Sequence, residues 1–227
     1  MAEFFRFPTT PHLAWLSADV APRSDKVLSA SEVEEFLSGE VVVEEKVDGA
    51  NLGIFVTPDG QLRIQNRGQY IASPFQGQFA RLQAWLEQHG AHLGEAIPQG
   101  IVVFGEWCAA KHSLRYDMLP DWLLVFDVYD RAERHFWSSG RRDDLAARLS
   151  LATVPQIFRG ETDLAALTQL LDTRMSTLRA GPMEGVIVRS ESADWCIRRA
   201  KLVRGDFTQA IGEHWSRRSI EWNRIAW

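Results

Sequence analysis

One lysine stands in a stretch where lysine is rare. Residues 41–54 read VVVEEKVDGANLGI, and Lys46 lies at the centre of this run. Lysine is seldom placed inside such a run unless a partner pairs with it or a reaction uses it. Side chains alternate along a strand, so Glu44, Lys46 and Asp48 are expected on one face. Glu45 is expected on the other. The pattern raises the hypothesis that Lys46 is a nucleophile flanked by carboxylates.

Charged residues also stand at the ends of other apolar runs. Arg67 follows RIQN, Glu106 follows IVVFG and Glu184 precedes GVIV. In WCIRRAKLV, the alternation of a strand places Arg199 and Lys201 on one face. Each residue alone is more typical of a solvated strand edge. Together they predict one polar cavity lined by basic residues and carboxylates.

Such a cavity is suited to nucleotidyl transfer through a lysine phosphoramidate. A lysine must be neutral to attack, and deprotonating an ordinary lysine at neutral pH costs about 4–5 kcal/mol. Neighbouring carboxylates raise that cost unless a metal ion neutralises them. The hard oxygen ligands suited to Mg²⁺ are Glu44, Asp48, Glu106 and Glu184. Arg199 and Lys201 would then hold a phosphate whose charge grows in the transition state.

The elements that would position these residues are mostly strands. NLGIFV, PDG and QLRIQN predict a hairpin, and IVVFGEW, WLLVFDVY, GVIVR and WCIRRAKLV predict further strands. A capping box at Ser31-x-x-Glu34 predicts a short helix that ends at Gly39, and the C-terminal stretch is predicted to be helical. Hairpins outnumber strand–helix–strand crossovers. The expected fold class is α+β, with antiparallel sheets flanked by helices.

Composition sets the broad class of the chain. It has 227 residues, 45% of them hydrophobic, and a formal net charge of -5. These values favour one soluble domain over residues 1–227 and argue against a generally basic nucleic-acid binder. The segment Arg198–Arg224 is an exception, because it holds seven Lys or Arg residues and three acids. The N-terminus lacks signal-peptide features and no apolar run is long enough for a membrane span, so a cytoplasmic location is expected.

Six short motifs follow one another in an order found in a known superfamily. They are Lys46-Val47-Asp48-Gly49, Asn66-Arg67-Gly68, Phe104-Gly105-Glu106-Trp107, Val125-Phe126-Asp127-Val128-Tyr129, Glu184-Gly185-Val186-Ile187 and Arg199-Ala200-Lys201-Leu202. This series resembles the covalent nucleotidyltransferases, which comprise DNA ligases, RNA ligases and mRNA capping enzymes. Asn51, Gly-Glu-Trp and the closing basic-x-Lys are most similar to ATP-dependent RNA ligases of the RNA ligase 2-like type.

The resemblance implies a nucleotidyltransferase (adenylation) domain and a role for each matched residue. Lys46 would be the adenylylated nucleophile, and Arg199 and Lys201 would contact the ATP phosphates during catalysis. The other ATP-binding positions would be Glu44, Glu45, Asn51, Arg67, Glu106, Phe126 and Glu184. The metal, Mg²⁺ or Mn²⁺, would be held by Asp48, Glu106 and Glu184.

Finer roles also follow from the resemblance. Glu44 or Glu45 would lie near the adenine, and Phe126 would stack on it. Arg67 and Glu106 would engage the ribose. Asn51 would bind a phosphate or orient the chemistry. A core aromatic and a hairpin residue are the alternative interpretations of Phe126 and Asn51.

Two departures from the family pattern affect the expected activity. The family usually has lysine where this chain has Arg199, and arginine lacks the compact ammonium of lysine. Relatives also carry an oligonucleotide-fold or helical domain after the last motif, whereas only a short tail follows Lys201 here. The expectation is therefore self-adenylylation, with a partner end-healing or RNA-binding protein assisting the sealing of RNA.

The expected reaction joins RNA 3′-OH and 5′-phosphate ends, in a nicked duplex, through lysyl-AMP and an adenylylated 5′ end. Within enzymes, the alternatives are a DNA ligase and a capping-type guanylyltransferase. From another class, the alternative is a non-catalytic nucleic-acid-binding partner subunit. That alternative predicts nucleic-acid binding without covalent nucleotide.

Overall fold

The computed structural model describes residues 4–17, 26–210 and 219–226. Arg217 and Arg218 of the predicted basic segment lie outside these ranges. The α-helices of the described residues are α1 (Ala30–Phe36), α2 (Leu82–Ala96), α3 (Ser139–Arg148), α4 (Leu164–Thr173) and α5 (Gly205–Ala210), and a 3₁₀ turn spans Gly77–Phe79. None of these helices is long and apolar enough to cross a membrane.

The strands form one hydrogen-bonded sheet. They are β1 (Val41–Lys46), β2 (Ala50–Val56), β3 (Leu62–Asn66), β4 (Tyr70–Ile71), β5 (Ile101–Trp107), β6 (Leu123–Asp130), β7 (His135–Trp137), β8 (Ala152–Thr153), β9 (Gln156–Gly160), β10 (Gly185–Glu191) and β11 (Trp195–Val203). The order is β4-β3-β2-β5-β6-β7-β11-β10-β1-β9, and β8 pairs with β6. All pairings are antiparallel except that of β6 with β8. The predicted α+β class with antiparallel pairing is confirmed.

The sheet divides into two halves, each with its own core. In the first half, β2, β3, β5 and β6 pack against α2 and α3 through residues such as Ile54, Trp85 and Leu145. In the second half, β1, β10 and β11 pack against α1 and α4 through residues such as Val43, Phe36 and Leu171. The short strand β7 pairs with β6 on one side and with β11 on the other. The two halves therefore share one sheet while burying separate apolar faces.

Two local predictions are wrong. The capping box of α1 is formed by Ser29 and Glu32, not by Ser31 and Glu34: the Glu32 amide donates to the Ser29 hydroxyl at 3.3 Å, and the Ser29 amide donates to the Glu32 carboxylate at 2.8 Å. Of the C-terminal stretch predicted to be helical, residues 219–226 are not helical, and residues 211–218 lie outside the described residues. Residues 219–226 run as an extended segment whose bridges pair Trp222 with Ala110 and Ile225 with Leu119.

Gly185 permits the close pairing of β10 with β11. A Cβ at this position would lie 2.3 Å from the Leu202 carbonyl oxygen and 2.9 Å from the Val203 Cα. We expect Gly185→Ala to lower the free energy of unfolding by about 1–3 kcal/mol, because backbone rather than a flexible side chain has to move. Urea unfolding followed by circular dichroism measures this.

The matched control is Gly94→Ala in α2, where an added Cβ would have no heavy atom within 4 Å. Alanine is the better helix former, so this change should raise stability by about 0.5–1 kcal/mol. Equal stabilities for the two variants would contradict the role assigned to Gly185.

Candidate active site

A cavity of about 640 Å³ opens where the two halves of the sheet meet. The ATP-binding residues predicted from the sequence that line it are Glu44, Glu45, Lys46, Asn51, Arg67, Glu106, Phe126, Arg199 and Lys201. Glu184 contacts Lys46 at its edge. These residues come from β1, β2, β5, β6 and β11, from the β3–β4 turn and from the residue before β10. The fold therefore brings the predicted residues together, while their roles stay predictions.

Lys46 is the last residue of β1 and is held by an acidic neighbour. Its Nζ donates to Oε1 of Glu184 at 2.5 Å, and the Lys46 side chain is 24% exposed. Burial lowers the pKa of the Lys46 ammonium, but the carboxylates of Glu184, Glu106 and Asp48 together raise it above its ordinary value. Without a counter-charge at these carboxylates, Lys46 is a cation and not a nucleophile.

The two buried glutamates beside Lys46 bind protons more tightly than ordinary carboxyls. Burial raises the pKa of Glu106 to about 8 and that of Glu184 to about 7, although the charge of Lys46 lowers both. Glu106 accepts a hydrogen bond from the Gly49 amide at 2.9 Å. A Cβ on Gly49 would lie 2.6 Å from the Trp107 carbonyl oxygen. The glycine of the K-V-D-G motif therefore lets the chain after Lys46 approach β5 closely.

Asp48 lies beyond the end of β1, where strand alternation no longer sets its direction. Its Oδ2 accepts hydrogen bonds from the amides of Ser113 and Leu114, at 2.7 and 2.8 Å. Its own amide donates to the Tyr116 hydroxyl at 2.9 Å. The predicted shared face of Glu44, Lys46 and Asp48 therefore holds for the first two, while Asp48 is positioned by the loop between β5 and β6.

Carboxylate oxygens suit a divalent cation, and this site offers several of them. Within residues 4–17, 26–210 and 219–226, no three His, Cys, Asp or Glu side chains lie close enough together to form a metal site. The assignment of a metal ion to Asp48, Glu106 and Glu184 therefore stays a prediction. The Oε2 of Glu184, however, is buried without a hydrogen-bond partner. The donor types fit Mg²⁺ or Mn²⁺, and this oxygen could bind the cation without losing a hydrogen bond.

Glu44 belongs to a buried ionic network that sequence reasoning missed. Its Oε1 pairs with Arg142 of α3 at 2.6 Å, and its Oε2 lies 3.9 Å from Arg189 of β10. Arg189 also pairs with Asp127 at 2.8 Å and with Glu191 at 2.6 Å. All five side chains are at most 5% exposed. The carboxylate of Glu44 is thus part of the buried network that supports the cavity. Arg142 lies in none of the sequence motifs, so this network could not be recognised from the sequence.

Glu45 points to the other side of β1, as alternation predicts. Its carboxylate accepts hydrogen bonds from the Ser176 hydroxyl at 2.5 Å and the Thr177 amide at 3.3 Å. Its backbone amide donates to the Pro155 carbonyl. Burial raises the pKa of Glu45, although these hydrogen bonds lower it. The side chain of Glu45 anchors the loop before β10.

The basic residues of the cavity differ in their surroundings. Arg199 forms an ion pair with Asp127, and its guanidinium lies 3.9 Å from the ring centre of Phe136. Arg67 donates to the Thr9 hydroxyl at 3.0 Å. Lys201 is partly exposed at the cavity wall, and its backbone is bonded to residues 11 and 13. Two cationic side chains of β11 therefore share one face, as the sequence predicts.

A segment near the N-terminus supplies one wall of the cavity. Phe7, Pro8, Thr9 and Thr10 line it. The ring of Phe7 contacts that of Phe126 edge-on at 5.2 Å and lies 4.6 Å from the Arg199 guanidinium. Phe126 is thus packed on one side and presented to the cavity on the other.

Removing Arg189 should test the framework role of the ionic network. Arg189→Met would leave Asp127, Glu191 and Glu44 with buried charge that is only partly compensated, so we expect a loss of about 3–5 kcal/mol in the free energy of unfolding. Arg198→Met is the matched control, since Arg198 is 47% exposed and its partner Glu35 is 64% exposed. The stability of the control should stay close to that of the wild type. Similar losses in both variants, measured by urea unfolding, would refute the prediction.

The raised carboxyl pKa values predict a pH dependence of stability in metal-free buffer. Folded Glu106 and Glu184, with pKa values of about 8 and about 7, retain protons that the unfolded chain releases near 4.5. The folded state therefore binds more protons between these limits, and stability should fall as the pH rises through this window. Urea unfolding at several pH values with a chelator measures the trend. Glu106→Gln should flatten it, and a slope unchanged by this substitution would count against the assignment.

Comparisons with known proteins identify a family and a group of similar structures. A family model described as RNA ligase matches residues 39–203, a span that holds all six motifs. No match is found among curated proteins. Solved structures of an RNA ligase from Naegleria gruberi do match. A mutant with ATP and Mn has a TM-score of 0.63 at 14% identity over 89% of this chain and 63% of that chain.

Two further structures of the same enzyme give similar values. The complex with PPi has a TM-score of 0.63 at 13% identity, covering 91% of this chain and 64% of that chain. A mutant with AMP and Mn has a TM-score of 0.59 at 13% identity, covering 90% and 63%. This chain therefore spans less than two thirds of the length of these structures. The likeness shows a shared fold, and the family model identifies the chain as a member of the RNA ligase family.

Proposed function

We propose that this protein is an ATP-dependent RNA ligase that adenylylates itself on Lys46. The observation that carries the proposal is the lysine of the K-V-D-G motif, which lies at a cavity of about 640 Å³ with its Nζ on Glu184. Fit to the RNA ligase model supports RNA as the substrate. The Naegleria structures with ATP, AMP and Mn support ATP and a divalent cation as the co-reactants.

The first step forms a bond between Lys46 Nζ and the α-phosphorus of ATP. The bond from that phosphorus to the β-phosphate oxygen breaks, and pyrophosphate leaves. Lys46 must first lose a proton, and Glu184 Oε1, at 2.5 Å, is placed to accept it. With a pKa of about 7, Glu184 can both take up and release a proton near neutral pH. A divalent cation bound at Glu184, with Glu106 and Asp48 nearby, would offset the charge of these carboxylates and so lower the pKa of Lys46.

The basic side of the cavity suits the phosphates of ATP. Lys201 and Arg199 lie on one face of β11, and Arg67 approaches from the β3–β4 turn. Positive charge here favours binding of the triphosphate and stabilises the charge that develops on pyrophosphate. Arg199 can bind phosphate only by sharing its guanidinium with Asp127, since it is already paired there. We therefore assign Lys201 the larger part in phosphate binding.

The aromatic side of the cavity suits the base. Phe126 and Phe7 both line the cavity, and their rings contact each other edge-on. Asn51 lies opposite Glu106 across the β2–β5 pairing, and its Oδ1 is buried without a hydrogen-bond partner. These groups complete a pocket with an apolar end and a polar end, as a nucleoside phosphate requires.

In the following steps AMP passes to an RNA 5′-phosphate, and a 3′-hydroxyl displaces it to form the phosphodiester. We propose a nicked duplex as the substrate and a single nucleotidyltransferase domain over residues 1–227. A partner end-healing or RNA-binding protein would help to hold the RNA. The net charge of -5 supports this last part, since phosphate contacts supply much of the affinity for nucleic acids.

Lys46→Ala should abolish covalent attachment of AMP. After incubation with ATP and Mg²⁺, intact mass spectrometry of the wild type should reveal one added AMP, and peptide mapping should place it on Lys46. Lys26→Ala is the control, because Lys26 is an exposed lysine paired with Glu32. An adduct that persists on another residue of Lys46→Ala would refute the assignment of the nucleophile.

A second experiment separates the RNA ligase from its relatives. ATP and GTP, each labelled at the α-phosphate, are compared as donors, and nicked RNA and nicked DNA duplexes as acceptors. We expect label from ATP only and sealing of RNA ends. Label from GTP would indicate a capping-type enzyme, and preferential sealing of DNA would indicate a DNA ligase. Nucleic-acid binding without any label would indicate a non-catalytic subunit.

A further inference from the structure

The extended segment 219–226 is built into the loop between β5 and β6. Asn223 is 2% exposed. Its Nδ2 donates to the carbonyls of Cys108 and Ala110 at 2.8 and 3.3 Å, and its Oδ1 accepts from the Tyr116 amide at 2.9 Å. Its backbone amide donates to the Ala109 carbonyl. One side chain thus ties the start of the loop to its middle.

Neighbouring residues fasten the same segment at further points. The Arg224 amide donates to the Tyr116 carbonyl, and the Ala226 amide donates to the Leu119 carbonyl. The Trp222 ring lies 4.4 Å from the Arg81 guanidinium. The segment therefore acts as a strap, which we define as residues 219–226, across the loop formed by residues 108–119.

The strapped loop positions the acid next to Lys46. The amides of Ser113 and Leu114 donate to Asp48 Oδ2, and the Tyr116 hydroxyl accepts from the Asp48 amide. Tyr116 is fully buried, and both its backbone groups are bonded to the strap. A continuous set of hydrogen bonds therefore runs from Asn223 through Tyr116 to Asp48, two residues after the nucleophile.

We propose that Asn223 is a positioning residue for adenylylation, acting through Tyr116 and the 108–119 loop on the direction of Asp48. It contacts neither Lys46 nor the cavity walls. The side-chain amide of Asn223 is the hydrogen-bond partner of one buried backbone N–H group and two buried carbonyl groups. Substitution by alanine would leave these three groups unpaired. Loosening these contacts would let the loop, and Asp48 with it, shift relative to Lys46. This inference rests on the proposed function, because adenylylation is its readout.

Asn223→Ala should slow self-adenylylation with ATP and Mg²⁺ by about 10-fold to 100-fold at saturating ATP, since small misplacements of reacting groups have effects of this size. The KM for ATP should change little, because Asn223 lies outside the cavity. Glu221→Gln is the matched control on the same strap. It removes an exposed ion pair with Lys111 and should leave the rate within about 2-fold of the wild type.

A double-mutant cycle tests the path. Tyr116→Phe removes only the hydroxyl that accepts from the Asp48 amide. If both residues act through Asp48, their effects on the adenylylation rate should not multiply, because residues of one network are not additive. Asn223→Ala should then slow the Tyr116→Phe variant by a clearly smaller factor than it slows the wild type. Independent, multiplicative effects would overturn the path through Tyr116.

Asn223→Asp tests whether the adenylylation rate recovers when the aspartate is protonated, a pH dependence that simple unfolding would not produce. A protonated carboxyl can accept from the Tyr116 amide and donate to the Cys108 carbonyl, whereas a carboxylate cannot donate. The titratable and charged groups of the facing 108–119 loop are Cys108, Lys111, His112, Arg115, Tyr116 and Asp117, and those of the strap itself are Glu221 and Arg224. The rate of Asn223→Asp relative to wild type should therefore rise as the pH falls. A flat ratio would overturn the proposal.

The outcomes separate this inference from the proposed function. A wild type that takes up no AMP counts against the proposed function. A wild type that takes up AMP, with a folded Asn223→Ala that matches its rate, counts against the positioning role alone. If Asn223→Ala fails to fold, Asn223→Asp decides by its pH profile. Loss of the fold in both variants would overturn the proposal in favour of a purely structural strap.

Discussion

The buried guanidinium of Arg189 is the constraint on which the rest of the site depends. It is reached by Asp127 from the first half of the sheet, and by Glu44 and Glu191 from the second. Each of these charges would be costly if left alone in the interior. Their mutual neutralisation fixes β1, β6 and β10 relative to one another. The cavity, and the direction in which Lys46 leaves β1, follow from that arrangement.

A second electrostatic feature sets the chemistry. The same carboxylates that suit a divalent cation also hold Lys46 as a cation. The protonated lysine is not a nucleophile until a divalent cation in the cavity offsets the charge of these carboxylates. Arg199, by contrast, has its charge balanced in advance by Asp127. Lys46, which must lose its proton to react, therefore lies in different surroundings from Arg199, which must stay charged to bind phosphate.

Much of this could be predicted from the sequence, because strands impose a strict alternation. The common face of Arg199 and Lys201 and the opposite directions of Lys46 and Glu45 follow from that rule. The direction of Asp48 could not be predicted, since it lies past the strand end and is set by loop amides. The network of Glu44 with Arg142, and the strap of Asn223, join segments far apart in the chain. Local patterns carry no information about such contacts.

The order of the strands along the chain has a consequence for biosynthesis. Strand β1 is made well before its partner β10, and the contact between Lys46 and Glu184 closes a loop of 138 residues. The first half of the sheet is encoded almost entirely within that loop. The valines of β1 therefore remain exposed to solvent while the first half of the sheet forms. Such long-range pairing slows folding and favours binding of the unfinished chain by chaperones. Lys46 can meet Glu184 only after residue 184 has been translated, so a shorter nascent chain would lack this pair.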